Sequence, residues 1–180
     1  MKRVSVVGSS GSGKTTVARQ LAEALGIPHT EMDALHWGAD WTPTDDELLA
    51  ERVRAVAAAD SWVIDGNYHS KIGPVVWERA DAVVWLDVPR HRALWRGVTR
   101  TVRRAATREE LWNGNREHWS GLAFWRGDES IIWWVWTSHR RTRQRYAAAI
   151  DDPRWAHLKF HRLRSRRDVA RFLAAARPSL

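Results

Sequence analysis

The chain has 180 residues, 29 of them basic and 21 acidic, a net charge of +8 and no cysteine. That length suits one domain with a substantial core, and the missing cysteine excludes disulfides, thiolate metal centres and cysteine nucleophiles, in keeping with a reducing cytoplasm. The charge is uneven: residues 1–89 hold 8 Lys or Arg against 13 Asp or Glu, and residues 90–180 hold 21 against 8, so the second half would attract nucleic acid or a small polyanion.

The apolar run Val4-Ser5-Val6-Val7 predicts a first strand over Arg3–Val7. Met1-Lys2-Arg3 is a basic start, but the apolar stretch stops at Gly8, so no export signal is expected. The longest strongly apolar run, Ile131–Trp136, is too short to cross a bilayer, and a soluble, cytoplasmic protein is expected. Gly8-Ser9-Ser10-Gly11-Ser12-Gly13-Lys14-Thr15 then fits the pattern G-x-x-x-x-G-K-[ST] and opens a segment with helical spacing at Val17, Ala18, Leu21 and Leu25. Glycines let such a loop wrap around polyphosphate, so that successive N–H groups and the helix N-terminus face the anion. Lys14 is placed to reach the β- and γ-phosphates and the Thr15 hydroxyl to bind Mg²⁺, with Thr16 beside them. A bound nucleoside triphosphate, ATP or GTP, with Mg²⁺ is the first expectation.

Gly26 and Pro28 stop that helix, and His29–Asp33 reads as a second strand. Thr44 looks like the N-cap of an acceptor-side helix, within about residues 34–61 and running to about Ala59. Trp62–Asp65 is a third strand ending in Gly66-Asn67, and Ala82–Leu86 a fourth ending in Asp87-Val88-Pro89. An arginine-rich helix follows from Arg90 to about Ala106, residues 107–138 read as short helices forming a lid, and a helix spans Ser138–Ile150. His157–Leu163 is the expected fifth strand, and Ser165 can cap a last helix over Arg166–Ala176. This alternation predicts an α/β protein on a parallel sheet. No repeat or linker divides it, so residues 1–180 are expected to form one domain.

Asp65 sits at the C-terminal end of a strand, where open parallel sheets bind ligands, and its carboxylate suits Mg²⁺ opposite Thr15. The competing reading is an aspartate that starts the Asp65-Gly66 turn. Asp33 ends the second strand in the same way, beside His36, Trp37 and Trp41, and could orient an acceptor hydroxyl and take its proton, or simply cap a helix. Phosphoryl transfer also needs positive charge over the migrating group. Arg92, Arg96, Arg100, Arg103 and Arg104 recur largely at helical spacing, and Arg140, Arg141, Arg143 and Arg145 form a second cluster across the lid. Most of the thirteen tryptophans are expected in the core, with Trp37 and Trp41 the pocket candidates. The eight histidines form no metal-binding pair, though His36 and His69 could touch substrate.

With the loop, the Asp65-Gly66 strand end and Asp87-Val88-Pro89 leading into arginines, the chain resembles the P-loop kinases of the adenylate kinase group, and within it the bacterial branch labelled FlaR-type DNA topology modulation protein. The branch segments are Asp33-Ala34-Leu35-His36-Trp37, Asp65-Gly66-Asn67-Tyr68, Leu111-Trp112-Asn113-Gly114-Asn115-Arg116 and His139-Arg140-Arg141. The resemblance implies a three-layer P-loop NTPase fold, a five-stranded parallel sheet of order 2-3-1-4-5 with a helical lid insertion, and ATP as donor. It places Arg96 and Arg100 near the donor nucleotide, and Arg164 and Ser165 near its adenine. Nucleoside monophosphate kinases of the group follow the D-G pair with F-P-R; here Asn67-Tyr68-His69 stand there, without that phosphate-binding arginine. Asp33 looks more like the acceptor side of shikimate, gluconate or nucleoside kinases, with Arg52, Arg54 or Arg79 as possible replacement phosphate ligands.

The expected activity is an ATP- and Mg²⁺-dependent kinase of a small hydroxyl-bearing acceptor, a nucleoside or nucleotide being next in line. Lys14, Asp33, Arg100, Arg140 and Arg141 would act in transfer, Thr15 and Asp65 would hold metal, and Asp33, His36, Trp37, Trp41, Gly66, Asn67 and Tyr68 would face the acceptor. The rival is a nucleic-acid-binding regulator with NTPase activity, suggested by the basic second half, although no helix-turn-helix or RNA-binding motif is present.

Overall fold

A computed structural model describes residues 1–117, 119 and 131–177, apart from the side chains of residues 131, 132 and 134. Five parallel strands, β1 (Arg3–Gly8), β2 (His29–Glu31), β3 (Trp62–Asp65), β4 (Ala82–Leu86) and β5 (Lys159–Leu163), form one sheet in the order β2-β3-β1-β4-β5. The helices are α1 (Lys14–Leu25), α2 (Met32–His36), α3 (Asp46–Ala57), α4 (His69–Ile72), α5 (Arg90–Thr107), α6 (Ile131–Ile150) and α7 (Arg166–Ala176). Among the described residues no helix is long and apolar enough to cross a membrane.

Successive strand residues point to opposite faces, so each strand feeds two cores. Val4, Val6, Val63, Ala82, Val84 and Leu86 pack with Val17, Ala18 and Leu21 of α1 and Ala176 of α7. Val7, Trp62, Ile64, Val83 and Trp85 pack on the other face with Leu49 and Val53 of α3 and Tyr146 and Ala149 of α6. Each fully buried Val or Ile stabilises by about 1.5–3 kcal/mol relative to exposure, and the central strands are buried on both sides. The layers therefore leave the C-terminal strand ends as the place where loops can collect.

Several boundaries differ from the sequence expectation, each for a local reason. Strand β2 stops at Glu31, because its edge pairing with β3 ends at the Glu31–Asp65 register and no ladder partner continues. The chain turns into α2, and Asp33 lies in that helix's first turn rather than at a strand end. Asp45, not Thr44, caps α3, accepting from the Glu47 N–H at 2.8 Å; the Thr44 hydroxyl donates to the Leu35 carbonyl instead. Helix α6 begins at Ile131, so the last eight residues expected in the lid belong to one 20-residue helix. Residues 118 and 120–130 of the expected lid lie outside the described residues. The capping box of Ser165 with Asp168 starts α7 as expected. Tryptophan burial is more divided than predicted: Trp62, Trp77, Trp85 and Trp155 are core, whereas Trp95, Trp119, Trp133 and Trp136 are exposed. Trp136 lies against Arg90, whose guanidinium carbon is 3.5 Å from the ring centroid.

Candidate active site

The Gly8–Thr15 segment forms a loop between β1 and α1, and its shape depends on close approach to a neighbour. Gly11 has φ +75°, and a Cβ there would stand 2.0 Å from the Ala93 carbonyl oxygen of α5. Only glycine lets the loop abut that helix. The small buried stripe Ala93, Gly97, Thr101 and Ala105 lets α5 pack tightly, so Arg96 can donate to the Ser12 carbonyl at 3.1 Å. Lys14 Nζ reaches back to the Ser9 carbonyl at 3.3 Å. Ser9 Oγ and Ser12 Oγ are buried with no hydrogen-bond partner among the described residues. Buried hydroxyls without partners are costly, and these two belong to a loop whose backbone donors suit phosphate oxygens.

A carboxylate, a hydroxyl and an imidazole meet beside the loop. The Thr15 hydroxyl donates to Asp65 Oδ1 at 3.3 Å, while Asp65 Oδ2 lies 2.8 Å from His29 Nε2. Thr15 and Asp65 form an all-oxygen pair that fits Mg²⁺ shared with phosphate and water. Among the described residues no group of three or more His, Cys, Asp or Glu is placed to hold a metal ion. Burial holds the Lys14 ammonium below its usual pKa against the opposing pull of Asp33 and Asp65, and Arg100 lowers it further. Arg100 is lowered first by its own burial, then by Arg104, with Glu117 and Asp33 opposing. Lys14, Arg100, Asp33 and Asp65 are thus brought within electrostatic reach of one another.

On the acceptor side, Asp33 accepts a 2.7 Å hydrogen bond from the Tyr68 hydroxyl. Burial, then the Asp33 charge, pushes the Tyr68 pKa far up, so Tyr68 stays a donor. His36 is buried against Trp37 and Tyr68, and its Nδ1 has no partner among the described residues. Burial and Lys71 lower its pKa. Gly66 leaves room for Met32: a Cβ there would stand 2.7 Å from Met32 Cβ. Asn67 bridges elsewhere, its amide and carbonyl pairing with the Gly8 backbone while its Oδ1 accepts from Tyr146. It ties the start of the phosphate loop to α6. Trp41 adopts φ +56° and Asp40 φ +53°, a strained region for side chains of this kind.

That strained loop is clamped from residues 111–117. Asn115, buried, donates to the Gly38 carbonyl at 2.7 Å and accepts from the Trp41 N–H at 2.7 Å. Asn113 donates to the Trp37 carbonyl, the Trp41 indole donates to the Arg116 carbonyl, and the Trp112 indole donates to Glu31 Oε2 at 2.9 Å. The sequence places this segment in the expected lid, but its pairing with the 34–41 loop joins residues so far apart in the chain that it leaves no local signal. Burial, followed by the Asp65 charge, raises the Glu31 pKa.

The arginines divide sharply. Arg96 donates to the loop and Arg100 lies within electrostatic reach of Lys14, whereas Arg103 pairs with Glu109 at 2.8 Å and Arg104 with Glu117 at 3.1 Å. Arg140 and Arg141 are exposed and form no hydrogen bond or ion pair among the described residues. Their neighbour Arg143 instead joins Arg162 and Arg164 around the buried Asp87, at 3.1, 2.6 and 3.7 Å. Asp87 ends β4 as Asp65 ends β3, and the strand-end rule could have found it. His29 could not be found that way, because its contact depends on the tertiary placement of β2. Arg52 donates to the Leu35 carbonyl and to Thr44, and Arg79 to the Ala57 carbonyl; Arg54 lines an acidic groove on α3. His69 packs against Trp77 and Trp155. Thr16, Arg96, Arg164 and Ser165 line a second cleft beside the loop.

No family model matches the chain. Two cytidylate kinases from Nitratidesulfovibrio vulgaris strains are each 41% identical over 59 residues, 29% of this chain and 25% of theirs. The match therefore spans about a quarter of the length of those relatives. Among solved structures, the fold is similar to shikimate kinase from Acinetobacter baumannii in complex with shikimate, with TM-score 0.53, 19% identity, and coverage of 97% of this chain and 89% of that one. It is also similar to a sugar kinase from a Janibacter species, with TM-score 0.51, 19% identity and 99% coverage of both chains. The five-stranded order 2-3-1-4-5 is thus the fold of P-loop kinases. The FlaR-type label finds no support among these relatives.

Proposed function

We propose that the protein is an ATP- and Mg²⁺-dependent kinase whose acceptor is a small hydroxyl-bearing molecule. The observation that carries this reading is the convergence of Lys14, Arg100, Asp33 and the Thr15–Asp65 pair at one end of the sheet. Loop N–H groups, Ser9, Ser12 and Lys14 would hold the triphosphate, and Arg100 would face charge developing on the γ-phosphoryl group. Mg²⁺ held by Thr15 and Asp65 would neutralise charge between the β- and γ-phosphates. Asp33, oriented by Tyr68, would accept the acceptor's hydroxyl proton as its oxygen bonds to the γ-phosphorus and the bond to the β-phosphate oxygen breaks. Arg140 and Arg141 enter only as residues that would move in over a bound nucleotide.

The acceptor side favours a neutral or hydroxyl-rich molecule over a nucleoside monophosphate. No arginine follows Asp65-Gly66, Arg79 is engaged with the end of α3, and Arg52 with Leu35. Kinship with the adenylate kinase group and its FlaR-type branch rests on the quoted segments. Relatives named for cytidylate, shikimate and sugars suggest acceptors to include in the panel. Nucleic-acid binding draws only on net charge, and several of the basic groups are already paired with Glu109, Glu117 and Asp87. The test is incubation with labelled ATP, Mg²⁺ and a panel of sugars, sugar acids, shikimate, nucleosides and nucleoside monophosphates, followed by identification of the labelled product. A phosphorylated hydroxyl compound is expected; label appearing in no acceptor would overturn the proposal.

A further inference from the structure

Strand β3 stops pairing with β1 just short of the phosphate loop. The ladder ends at the Val6–Asp65 register, and the Gly66 N–H makes one further backbone bond, to the Val6 carbonyl at 3.2 Å. There the Asn67 side chain takes the place that the next strand residues would have filled. Its Oδ1 accepts from the Gly8 N–H at 3.2 Å, and its Nδ2 donates to the Gly8 carbonyl. On the other side Gly8 stands in register with Leu86 of β4. Gly8 also approaches the far part of the loop, since a Cβ there would stand 2.9 Å from Ser12 Oγ. The position of Gly8 therefore bears on the whole loop and not only on its first residue.

A carboxamide can hold Gly8 at both groups in only one orientation, because the reverse would set donor against donor and acceptor against acceptor. Tyr146 of α6 selects that orientation by donating its hydroxyl to the same Asn67 Oδ1, at 2.8 Å. Its side chain is 2% exposed and packs against Trp77 and Trp85, at ring-centroid distances of 5.9 and 6.0 Å. A phenylalanine would fill that space as well, so the hydroxyl is not there for packing, and once buried it needs a partner. Burial holds the Tyr146 pKa above that of a free phenol, against the opposing pull of Arg145, so the group remains a donor. We propose that Tyr146 is a positioning residue for the phosphate loop: through Asn67 it fixes Gly8, and with it the loop N–H groups that receive the anion. This inference rests on the phosphate-loop reading and extends it to a residue on α6, 79 positions beyond Asn67, that no motif marks.

The test is calorimetric binding of inorganic tripolyphosphate and of ATP, each with Mg²⁺. It compares the wild-type chain with Tyr146→Phe, Asn67→Ala, their double variant, Ala149→Gly and Lys14→Ala. Ala149 lies on the same helix and in the same core cluster, so Ala149→Gly lowers helix stability while the Tyr146 hydroxyl stays in place. Loss of one buried hydrogen bond predicts that Tyr146→Phe weakens both ligands by the same factor, about five- to tenfold, while Ala149→Gly binds both as wild type does. Because Tyr146 acts through Asn67, adding Tyr146→Phe to Asn67→Ala should cost nothing further. The proposal is overturned if Tyr146→Phe binds tripolyphosphate as wild type does, if Ala149→Gly weakens it as much, or if the two effects multiply in the double variant. Should Asn67→Ala not fold, the comparison of Tyr146→Phe with Ala149→Gly decides alone. A wild-type chain that binds neither ligand, or unchanged binding to Lys14→Ala, would instead sink the underlying phosphate-loop reading, a result separable from the others.

Discussion

The two halves of the candidate site are built by different means. On the proposed donor side the groups offered are chiefly backbone N–H groups and hydroxyls of one short segment, with two hydroxyls buried and without a partner among the described residues. On the acceptor side Asp33 pairs with Tyr68, Glu31 with Trp112, and the 34–41 loop with Asn113 and Asn115, while the buried Nδ1 of His36 has no partner among the described residues. The first half takes its shape from one contiguous segment, whereas the second takes its shape from side chains distant in the chain.

The sharpest way to break this comparison is at Lys14. Lys14→Ala should lower phosphoryl transfer by at least about 10²-fold with little change in melting temperature, because among the described residues the Lys14 ammonium makes one hydrogen bond, to the Ser9 carbonyl; labelled-phosphate transfer and thermal unfolding check both. Asp33→Asn should follow, reducing acceptor turnover by about 10²-fold or more while ATP affinity holds within about twofold. Equal losses in both would merge the halves that the geometry separates.

Asn115→Ala removes three side-chain hydrogen bonds to the Gly38, Trp41 and Trp112 backbone. It should destabilise the fold by about 1–3 kcal/mol and raise the KM for acceptor rather than for ATP, as denaturant unfolding and steady-state kinetics would show. The smallest effect is expected at Glu31. Burial and Asp65 raise its folded pKa, so the ionised form is disfavoured in the fold, and the stability this group contributes is present at low pH and declines as pH rises through the raised value. In the nucleotide-free protein Glu31→Gln should therefore raise the unfolding midpoint at pH 8, and the gain should shrink as pH falls below the raised pKa.

The donor half was legible because its chemistry is local. Gly8 to Thr15 are contiguous, and the apolar periods on either side mark the strand and helix that present them. The sheet order was implied by the resemblance alone, and Ser165 marked the start of the last helix. The acceptor half was read less well, since Asp33 was expected at a strand end and lies in a helical turn. There the pairing of an edge strand, not any preference of Met32 or Asp33, decided the backbone.

By itself the sequence determined which residues can cradle phosphate and where strands alternate with helices, since both depend on neighbours along the chain. Only the tertiary structure decided that Asn115 holds Gly38, that Arg143 turns to Asp87 while Arg140 and Arg141 stay exposed, and that Trp95 stands beside the loop. Those contacts join residues tens of positions apart, and their energies exist only once the sheet has brought the strand ends together.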